Sequence, residues 1–337
     1  MKTMLDVANK AGVSKATVSR VLAGNSYVSK TTRDRVFKAV EEIGYRPNLV
    51  ARNLATSKSQ SIGLMVSNTL YNGPYFTELL FQTATLTESY GRQLILADGK
   101  HSAEEERQAL EFLLDLRCDG IIVYPRFLNS GELTQIIERS SKPMIVVNRR
   151  LEHSPQHCVY ADHQQYSFNA VSHLIQCGHR DIAFISGIPG SPSADSRLRG
   201  YRQALEKHDI AYREPWVVAG SWSLESGREA AKTLLARNIS FSALVASNDD
   251  MAIGAANQLH AVGKRVPHDV SLIGFDDIKM ASYFIPALST VRVPVAEMIE
   301  TTLKQLVDMM DGRPFDALQP FPGELIVRDS SGPGPHL

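Results

Sequence analysis

The sequence predicts a small all-α head followed by a large α/β body. Helical spacing of apolar residues dominates the first 60 of the 337 residues, and from residue 61 short β-rich runs alternate with helical segments. The charge divides at the same place: residues 1–60 carry eleven Lys and Arg against four Asp and Glu, a net +7, which leaves −7 for the remainder. A basic module fused to an acidic body predicts a polyanionic partner at one end only.

Three short helices are predicted in the head. Gly12 ends the first, Ser14 caps the second, and the third begins near Ser29 and ends at Gly44. Glycine suits a helix end because it adopts the left-handed backbone conformation without steric cost. The predicted inward residues of this bundle are Val7, Ala8, Ala11, Val18, Val21, Leu22, Val36, Ala39, Val40 and Ile43.

The second helix is predicted to present a polar face to DNA. With the apolar stripe turned inward, five residues point outward: Lys15, Ala16, Thr17, Ser19 and Arg20. This is the arrangement of a helix-turn-helix, whose second helix enters the major groove. Lys15 and Arg20 can donate to guanine or phosphate, whereas Ala16 can only make van der Waals contact, for example with a thymine methyl. Three hydroxyls near helix starts suit phosphate, those of Ser14, Thr17 and Ser29.

The body is predicted to contain parallel sheets covered on both faces, because strands and helices alternate strictly. In such sheets ligands bind outside the carboxyl ends of the strands. Polar residues at those ends are Asn148, Arg149, Asn248, Asp249, Asp276 and Asp277, with Arg197 in the loop and helix start after another strand.

The side chains predicted around this ligand site suit a sugar. Amides, carboxylates and a guanidinium supply directed hydrogen bonds, while Tyr75, Phe76 and Trp222 supply flat apolar faces. A sugar carries hydroxyls around apolar C–H faces and is recognised by this mixture.

Several other classes of protein are disfavoured by the sequence. No apolar run has the length of a signal peptide or membrane span, so we expect a cytoplasmic protein associated with the bacterial nucleoid and no membrane contact. Cys118, Cys158 and Cys177 lack paired spacing and are expected to be reduced thiols. No nucleophile elbow or phosphate loop occurs, and adjacent acids such as Asp276 and Asp277 point in different directions, so no enzyme, cofactor or metal is expected. The cluster of His153, His157, Cys158, Asp162 and His163 lacks metal-site spacing.

The segment "LDVANKAGVSKATVSRVLAGNSYVSKTTRDRVFKAVEEIGYRPNLVARNLA" resembles the DNA-binding head of the lac and galactose repressor family. The resemblance implies a hinge helix after the bundle, with Leu54 wedged into the minor groove at the operator centre. The implied DNA-contacting set is Ser14, Lys15, Ala16, Thr17, Ser19, Arg20, Tyr27, Ser29, Arg52 and Leu54.

The rest of the chain, to about residue 329, resembles the periplasmic-binding-protein-like effector domain of the same family, which has two doubly wound parallel-sheet lobes. The implied effector contacts are Tyr75, Phe76, Asn148, Arg197, Trp222, Asn248 and Asp276, to which the strand-end position adds Arg149. The implied organisation is a head at 1–46, a hinge and linker at 47–59, an effector and dimerisation domain at 60–329 and a tail at 330–337. Within that domain the N-lobe is placed at about 60–160 and 291–322, and the C-lobe at about 161–290 and 323–329.

One position departs from several sugar- and purine-binding relatives, which have Asp where this chain has Asn148, followed here by Arg149. This keeps a phosphorylated sugar open beside a neutral one, since a guanidinium suits phosphate. Blocks such as "LLDLRCDGIIVYPRFL" resemble the branch of the family that controls a β-glucoside operon, which implies a β-glucoside or its phosphate as effector.

The resulting hypothesis is a homodimeric repressor that binds a double-stranded DNA operator under the control of a sugar ligand. The tail after "GELIVRDS" has no heptad pattern, so a dimer rather than a larger assembly is expected. Two alternatives are a solute-binding protein for transport, which would not carry a helix-turn-helix, and an architectural DNA-binding protein, which would have no use for a polar, aromatic cleft.

Overall fold

A computed structural model of the chain describes residues 2–22, 27–45, 59–68 and 73–335. It divides into two compact units, with the boundary between Ser59 and Gln60. The predicted hinge residues Arg52 and Leu54 lie outside the described residues.

The first unit contains three helices, α1 (Met4–Ala11), α2 (Lys15–Leu22) and α3 (Lys30–Ile43). Gly12 and Gly44 end α1 and α3 in the left-handed conformation, both with φ of 62°. The shared core is the predicted set of inward residues, although Leu22, Val40 and Ile43 are only partly buried, and Tyr45 joins it. The periodicity of apolar residues in the sequence therefore predicts the core of this bundle.

The second unit contains two sheets. The first has the strand order β2-β1-β3-β4-β5 and is wholly parallel. Its strands are β1 (Ser61–Val66), β2 (Gln93–Asp98), β3 (Gly120–Tyr124), β4 (Met144–Val147) and β5 (Cys158–Val159). The helices that pack against it are α4 (Pro74–Ser89), α5 (Ala103–Asp115), α6 (Ser130–Arg139) and α11 (Val295–Met310).

The second sheet has the order β11-β10-β9-β8-β6-β7, and only β11 runs antiparallel to its neighbour. Its strands are β6 (Ile182–Ser186), β7 (Val217–Ala219), β8 (Ala243–Ala246), β9 (Ser271–Asp276), β10 (Ser289–Arg292) and β11 (Glu324–Ile326). Its helices are α7 (His163–Gln176), α8 (Pro192–Lys207), α9 (Leu224–Ala236) and α10 (Asp249–Ala261). The predicted fold class, an all-α head with a two-lobed parallel α/β body, is confirmed.

The chain passes between the two sheets three times: from β5 to α7, from β10 to α11 and from α11 to β11. Beyond residue 329 it remains packed on the second sheet, because Ser330 is buried and donates its hydroxyl to the Leu272 carbonyl at 2.6 Å. Gly334 N also donates to the Cys177 carbonyl at 2.7 Å. The segment predicted as a tail therefore contributes to the body.

Among the described residues, no helix is long and apolar enough to cross a membrane, and no group of three or more potential metal ligands occurs. The three cysteines are free thiols: Cys118 and Cys158 are buried, whereas Cys177 is partly exposed.

Candidate functional site

The predicted polar face of α2 is exposed. Lys15, Ala16, Ser19 and Arg20 are all exposed, whereas Val18 of the same helix is fully buried in the core of the first unit. A helix of eight residues can bury one stripe and present the other, and here the presented side carries both cations. The geometry therefore leaves the predicted base-reading side chains accessible.

The predicted phosphate-contacting hydroxyls lie at helix starts, where they also cap the helices. The Ser14 hydroxyl accepts from Thr17 N at 3.1 Å, and the Ser29 hydroxyl accepts from Thr32 N at 3.3 Å. Such caps satisfy backbone N–H groups that have no partner inside the helix. Tyr27, just before α3, is 94% exposed.

A cavity of about 180 Å³ lies at the carboxyl ends of the strands in the second unit. Seven of the eight predicted effector-binding residues line it: Tyr75, Phe76, Asn148, Arg197, Trp222, Asn248 and Asp276. The rule that ligands bind at strand ends located Asn148 in the first sheet and Asn248 and Asp276 in the second, whereas Tyr75, Phe76 and Trp222 were placed by the family resemblance.

Arg197 contacts two other lining residues of the cavity, Asp276 and Trp222. It projects from α8, is only 4% exposed, and donates to the Ser247 carbonyl and to Asp276 Oδ1, the latter at 3.4 Å. Its guanidinium carbon lies 4.6 Å from the centre of the Phe275 ring and 5.8 Å from that of Trp222. A buried cation needs such compensation, and these contacts fix where its remaining donors point.

Three lining residues have left-handed backbone conformations: Asn148 with φ of 61°, Trp222 with φ of 70° and Asp276 with φ of 103°. Asn and Asp adopt this region more readily than other residues, but a tryptophan there is strained. The neighbouring Gly187 makes room for the Trp222 indole, because a Cβ at residue 187 would lie 2.1 Å from that ring. Strain of this kind, held by the surrounding structure, is typical of a binding site.

Asn248 supports the cavity wall through both ends of its amide. Its oxygen accepts from Met251 N at 2.9 Å and so caps α10, while its nitrogen donates to the Trp222 carbonyl at 3.0 Å. The residue therefore positions the strained tryptophan as well as lining the cavity.

Arg149 does not line the cavity, so its prediction as an effector-binding residue is corrected. Its guanidinium turns toward the loop after β3, where it donates to the carbonyls of Leu128 and, at 3.3 Å, Pro125. The physical reason is the left-handed turn at Asn148, which precedes it: consecutive side chains at a strand end diverge. Arg149 thus holds a loop of the first sheet.

Burial shifts the acidity of the cavity side chains. Desolvation raises the pKa of Asp250 to about 6, and the charges of Asp276 and Glu225 add to the rise. Desolvation also raises the pKa of the Asp276 carboxyl, although Arg197 opposes it, and raises the pKa of Tyr75 well above its ordinary value. These shifts reflect acidic groups that have lost water, since burial disfavours the ionised form of a carboxyl and of a phenol alike.

Several lining residues were not predicted from the sequence: Gly73, Pro74, Tyr124, Ser193, Ser221, Ser223, Asp250 and Ile278. Tyr124 could have been found, since it is the last residue of β3 and the strand-end rule applies to it. Asp250 follows two predicted residues at the end of β8, and only the structure shows that Asp249 turns inward to Thr290 while Asp250 faces the cavity.

A three-helix head of this kind, with a cavity between two α/β sheets in the body, defines a ligand-controlled DNA-binding regulator as the class. Comparison with protein-family models matches residues 3–48 to bacterial regulatory proteins of the lacI family and residues 171–331 to the periplasmic binding protein-like domain. The chain is 58% identical to the transcriptional regulator AscG of Escherichia coli K12 over 98% of both chains.

Solved structures agree with this comparison. The lac repressor dimer bound to operator and the anti-inducer ONPF aligns with a TM-score of 0.89 at 28% identity, covering 98% of this chain and 99% of that one. The regulator CelR in complex with cellobiose aligns with a TM-score of 0.73 at 30% identity, covering 98% and 100%. The chain belongs to the LacI family of bacterial regulatory proteins and is a DNA-binding transcriptional regulator.

Proposed function

We propose that the protein is a homodimeric repressor whose affinity for a palindromic operator is controlled by a neutral β-glucoside bound between the two sheets. The observation that carries the proposal is the cavity around Arg197, in which hydrogen-bonding side chains from both sheets surround aromatic faces. This is the chemistry that recognises a sugar ring.

The charge of the cavity favours a neutral sugar over a sugar phosphate. Arg197 is the sole cation among the described lining residues, and Asp276 already faces it, while Asp250 adds a second carboxylate. A phosphate would enter a site with more negative than positive charge, in which the Arg197 guanidinium already faces a carboxylate. The alternative that rested on Arg149 loses its support because that side chain lies elsewhere.

The relatives support the glucoside class. CelR, which is 30% identical to this chain, binds cellobiose, a β-linked disaccharide of glucose. Enzymatic and transport roles have no comparable support. The side chains of adjacent acids point to different partners: Asp249 accepts from Thr290, whereas Asp250 lines the cavity. Likewise Asp276 faces Arg197, whereas Asp277 pairs with Arg292 and Arg328.

On the DNA side, α2 would enter a major groove with Lys15, Ala16 and Arg20 against base edges, and a second copy would read the other half-site. The hinge wedge by Leu54 stays a sequence prediction. Ligand binding would shift the two lobes and thereby change operator affinity, and the operator must change ligand affinity by the same factor. Release of the operator by the ligand is the expected direction.

The test begins with selection of an operator from a degenerate palindromic DNA library. Calorimetric titration then compares cellobiose, methyl β-D-glucopyranoside, its α-anomer and its 6-phosphate. The proposal expects a selected palindrome and binding of a neutral β-glucoside in preference to both the α-anomer and the phosphate. Preferential binding of the phosphate would refute the neutral ligand, and the absence of any selected DNA sequence would refute the repressor.

A further inference from the structure

We propose that His163 is a positioning residue that sets which hydrogen-bonding group Asn148 offers to the ligand. The proposal rests on the proposed function for the identity of the ligand, but its central geometry concerns the protein alone. His163 is the first residue of α7, is buried, and does not itself line the cavity.

The imidazole lies between two cavity residues from different sheets. Its Nε2 is 2.7 Å from Asn148 Oδ1, at the end of β4 in the first sheet. Its Nδ1 is 3.3 Å from a terminal nitrogen of Arg197, on α8, which packs on the second sheet. Asn148 Nδ2 in turn donates to the Tyr124 hydroxyl at 2.7 Å.

The direction of the hydrogen bonds that link Arg197, His163 and Asn148 follows from the chemistry of the guanidinium. A guanidinium can only donate, so Nδ1 of His163 must accept from Arg197. A neutral imidazole that accepts at Nδ1 carries its hydrogen on Nε2, which therefore donates to Asn148 Oδ1. The amide oxygen of Asn148 is thereby turned toward the histidine and its nitrogen toward Tyr124.

This orientation matters because an asparagine can present either a donor or an acceptor. With Oδ1 held by His163 and one Nδ2 hydrogen given to Tyr124, the second Nδ2 hydrogen is the group that Asn148 offers in the cavity. Asn148 would then donate to a sugar oxygen, complementing Asp250, which accepts from a sugar hydroxyl. Without His163 the amide could rotate and offer its oxygen instead.

Burial and the adjacent guanidinium keep the imidazole of His163 neutral. Burial and the adjacent Arg197 charge hold the pKa of His163 well below its ordinary range. The other ring facing it is that of Tyr166, edge-on at 5.9 Å, which supplies no charge at neutral pH. A second hydrogen on Nδ1 would point at the guanidinium, so both the geometry and the charge exclude the imidazolium.

The first experiment uses the full-length protein without ligand. Nitrogen-15 chemical shifts of the histidine rings, assigned by loss of one signal set in His163→Gln, report which ring nitrogen carries hydrogen. We expect the Nε2-protonated neutral tautomer at pH 7. An Nδ1-protonated or doubly protonated ring would overturn the proposal whether or not any sugar binds.

The second experiment measures affinity for cellobiose and methyl β-D-glucopyranoside by calorimetry. His163→Leu keeps the volume but no polar atom, and we expect it to weaken binding about tenfold, because a buried amide and a buried guanidinium each lose a partner. His163→Gln can accept and donate in the same sense and should restore most of the affinity. His173→Leu, on the same helix and half-buried away from the cavity, is the matched control.

Unchanged affinity in His163→Leu would contradict the positioning role, as would a loss in His163→Gln or in His173→Leu as large as that in His163→Leu. If neither sugar binds the unaltered protein, the proposed ligand class fails, while the tautomer still decides the proposal about His163. The two failures are therefore distinguishable.

Discussion

At the scale of single residues, the ligand cavity combines a cation that faces a carboxylate and two aromatic rings with a carboxyl that has no such partner among the described residues. Arg197 is held by Ser247, Asp276 and two aromatic rings. Asp250 lines the same cavity with a raised pKa and no hydrogen bond that offsets its burial. Asp250 is therefore the group whose state a bound sugar hydroxyl would change most.

Ligand affinity should consequently depend on the protonation of Asp250. The ionised carboxyl accepts a hydrogen bond from a sugar hydroxyl more strongly than the protonated one, so affinity should be full above the pKa of about 6 and fall as the pH drops through it. Calorimetric titrations between pH 7.5 and 5 measure the change. Asp250→Asn should bind more weakly at pH 7.5 and lose this dependence; a variant that retained the same pH profile would assign it to another group.

The indole of Trp222 should depend on the absence of a side chain at Gly187. Gly187→Ala would place a methyl group 2.1 Å from the ring, so the tryptophan must leave the cavity wall. We expect a loss of sugar affinity and a shift in tryptophan fluorescence while the far-ultraviolet circular dichroism stays unchanged. Gly332→Ala, where the nearest atom is 3.7 Å away, is the control and should bind normally. Normal binding by both variants would show that Trp222 has no part in the site.

At the scale of elements, a buried carboxylate fixes the loop that follows β3. Glu106 of α5 is fully buried and accepts from the Ser67 hydroxyl at 2.7 Å and from the backbone N–H groups of Arg126, Phe127 and Leu128. The loop then reaches the second sheet, since the Arg126 guanidinium donates to the Gly190 carbonyl at 2.8 Å. One helix of the first sheet thus positions a contact between the lobes.

Replacing Glu106 by Gln should destabilise the body, because an amide nitrogen would face backbone N–H groups that need an acceptor. Loss of charge-assisted acceptance and one unsatisfied buried group together cost on the order of 2–4 kcal/mol. Urea unfolding followed by circular dichroism measures the change, with the exposed Glu104→Gln as the control. A free energy of unfolding equal to that of the unaltered protein would contradict the assigned role of Glu106.

The exposed face of α2 allows a separate prediction. Arg20→Ala should weaken binding to the selected operator by about 1–3 kcal/mol and weaken nonspecific DNA binding much less, because a base contact carries sequence information. Lys38→Ala, which removes an exposed cation from α3, is the control for loss of charge alone. Equal losses on operator and random DNA would instead assign Arg20 to the phosphate backbone.

Sequence patterns identified the elements with long periodic segments and the residues that follow clear strands. The β-rich runs identified from the sequence contain β1, β2, β3, β4, β6, β8 and β9. The strands β5, β7, β10 and β11 were missed because they have only two to four residues and form through neighbours supplied by the fold. The helical segments identified in the body correspond to α4, α5, α7, α8, α9 and α10, so the amphipathic helices α6 and α11 were missed. Arg149 was misplaced because the turn at Asn148, which depends on tertiary contacts, decides which way consecutive side chains point. His163 was noted only as part of a cluster without metal-site spacing, because no local pattern reveals a hydrogen bond to a residue on another sheet.

At the scale of the whole molecule, the features expected for DNA binding lie in the basic head and those expected for ligand binding lie in the acidic body. Residues 1–60 carry the net +7 expected of a DNA-binding module, and the cavity lies wholly in the body. In a regulated repressor these two parts are coupled, so ligand and operator must each alter the affinity of the protein for the other. DNA binding and sugar binding that were both present but independent would leave the repressor unregulated.

The most direct test is the affinity of the full-length protein for its selected operator, measured by fluorescence anisotropy at fixed salt with and without a saturating β-glucoside. We predict weaker operator binding when the sugar is present. The factor by which the sugar lowers operator affinity should equal the factor by which the operator lowers sugar affinity. Arg197→Ala should keep the operator affinity and lose the response to sugar. Operator affinity that is identical with and without every sugar that binds the cavity would contradict the central claim.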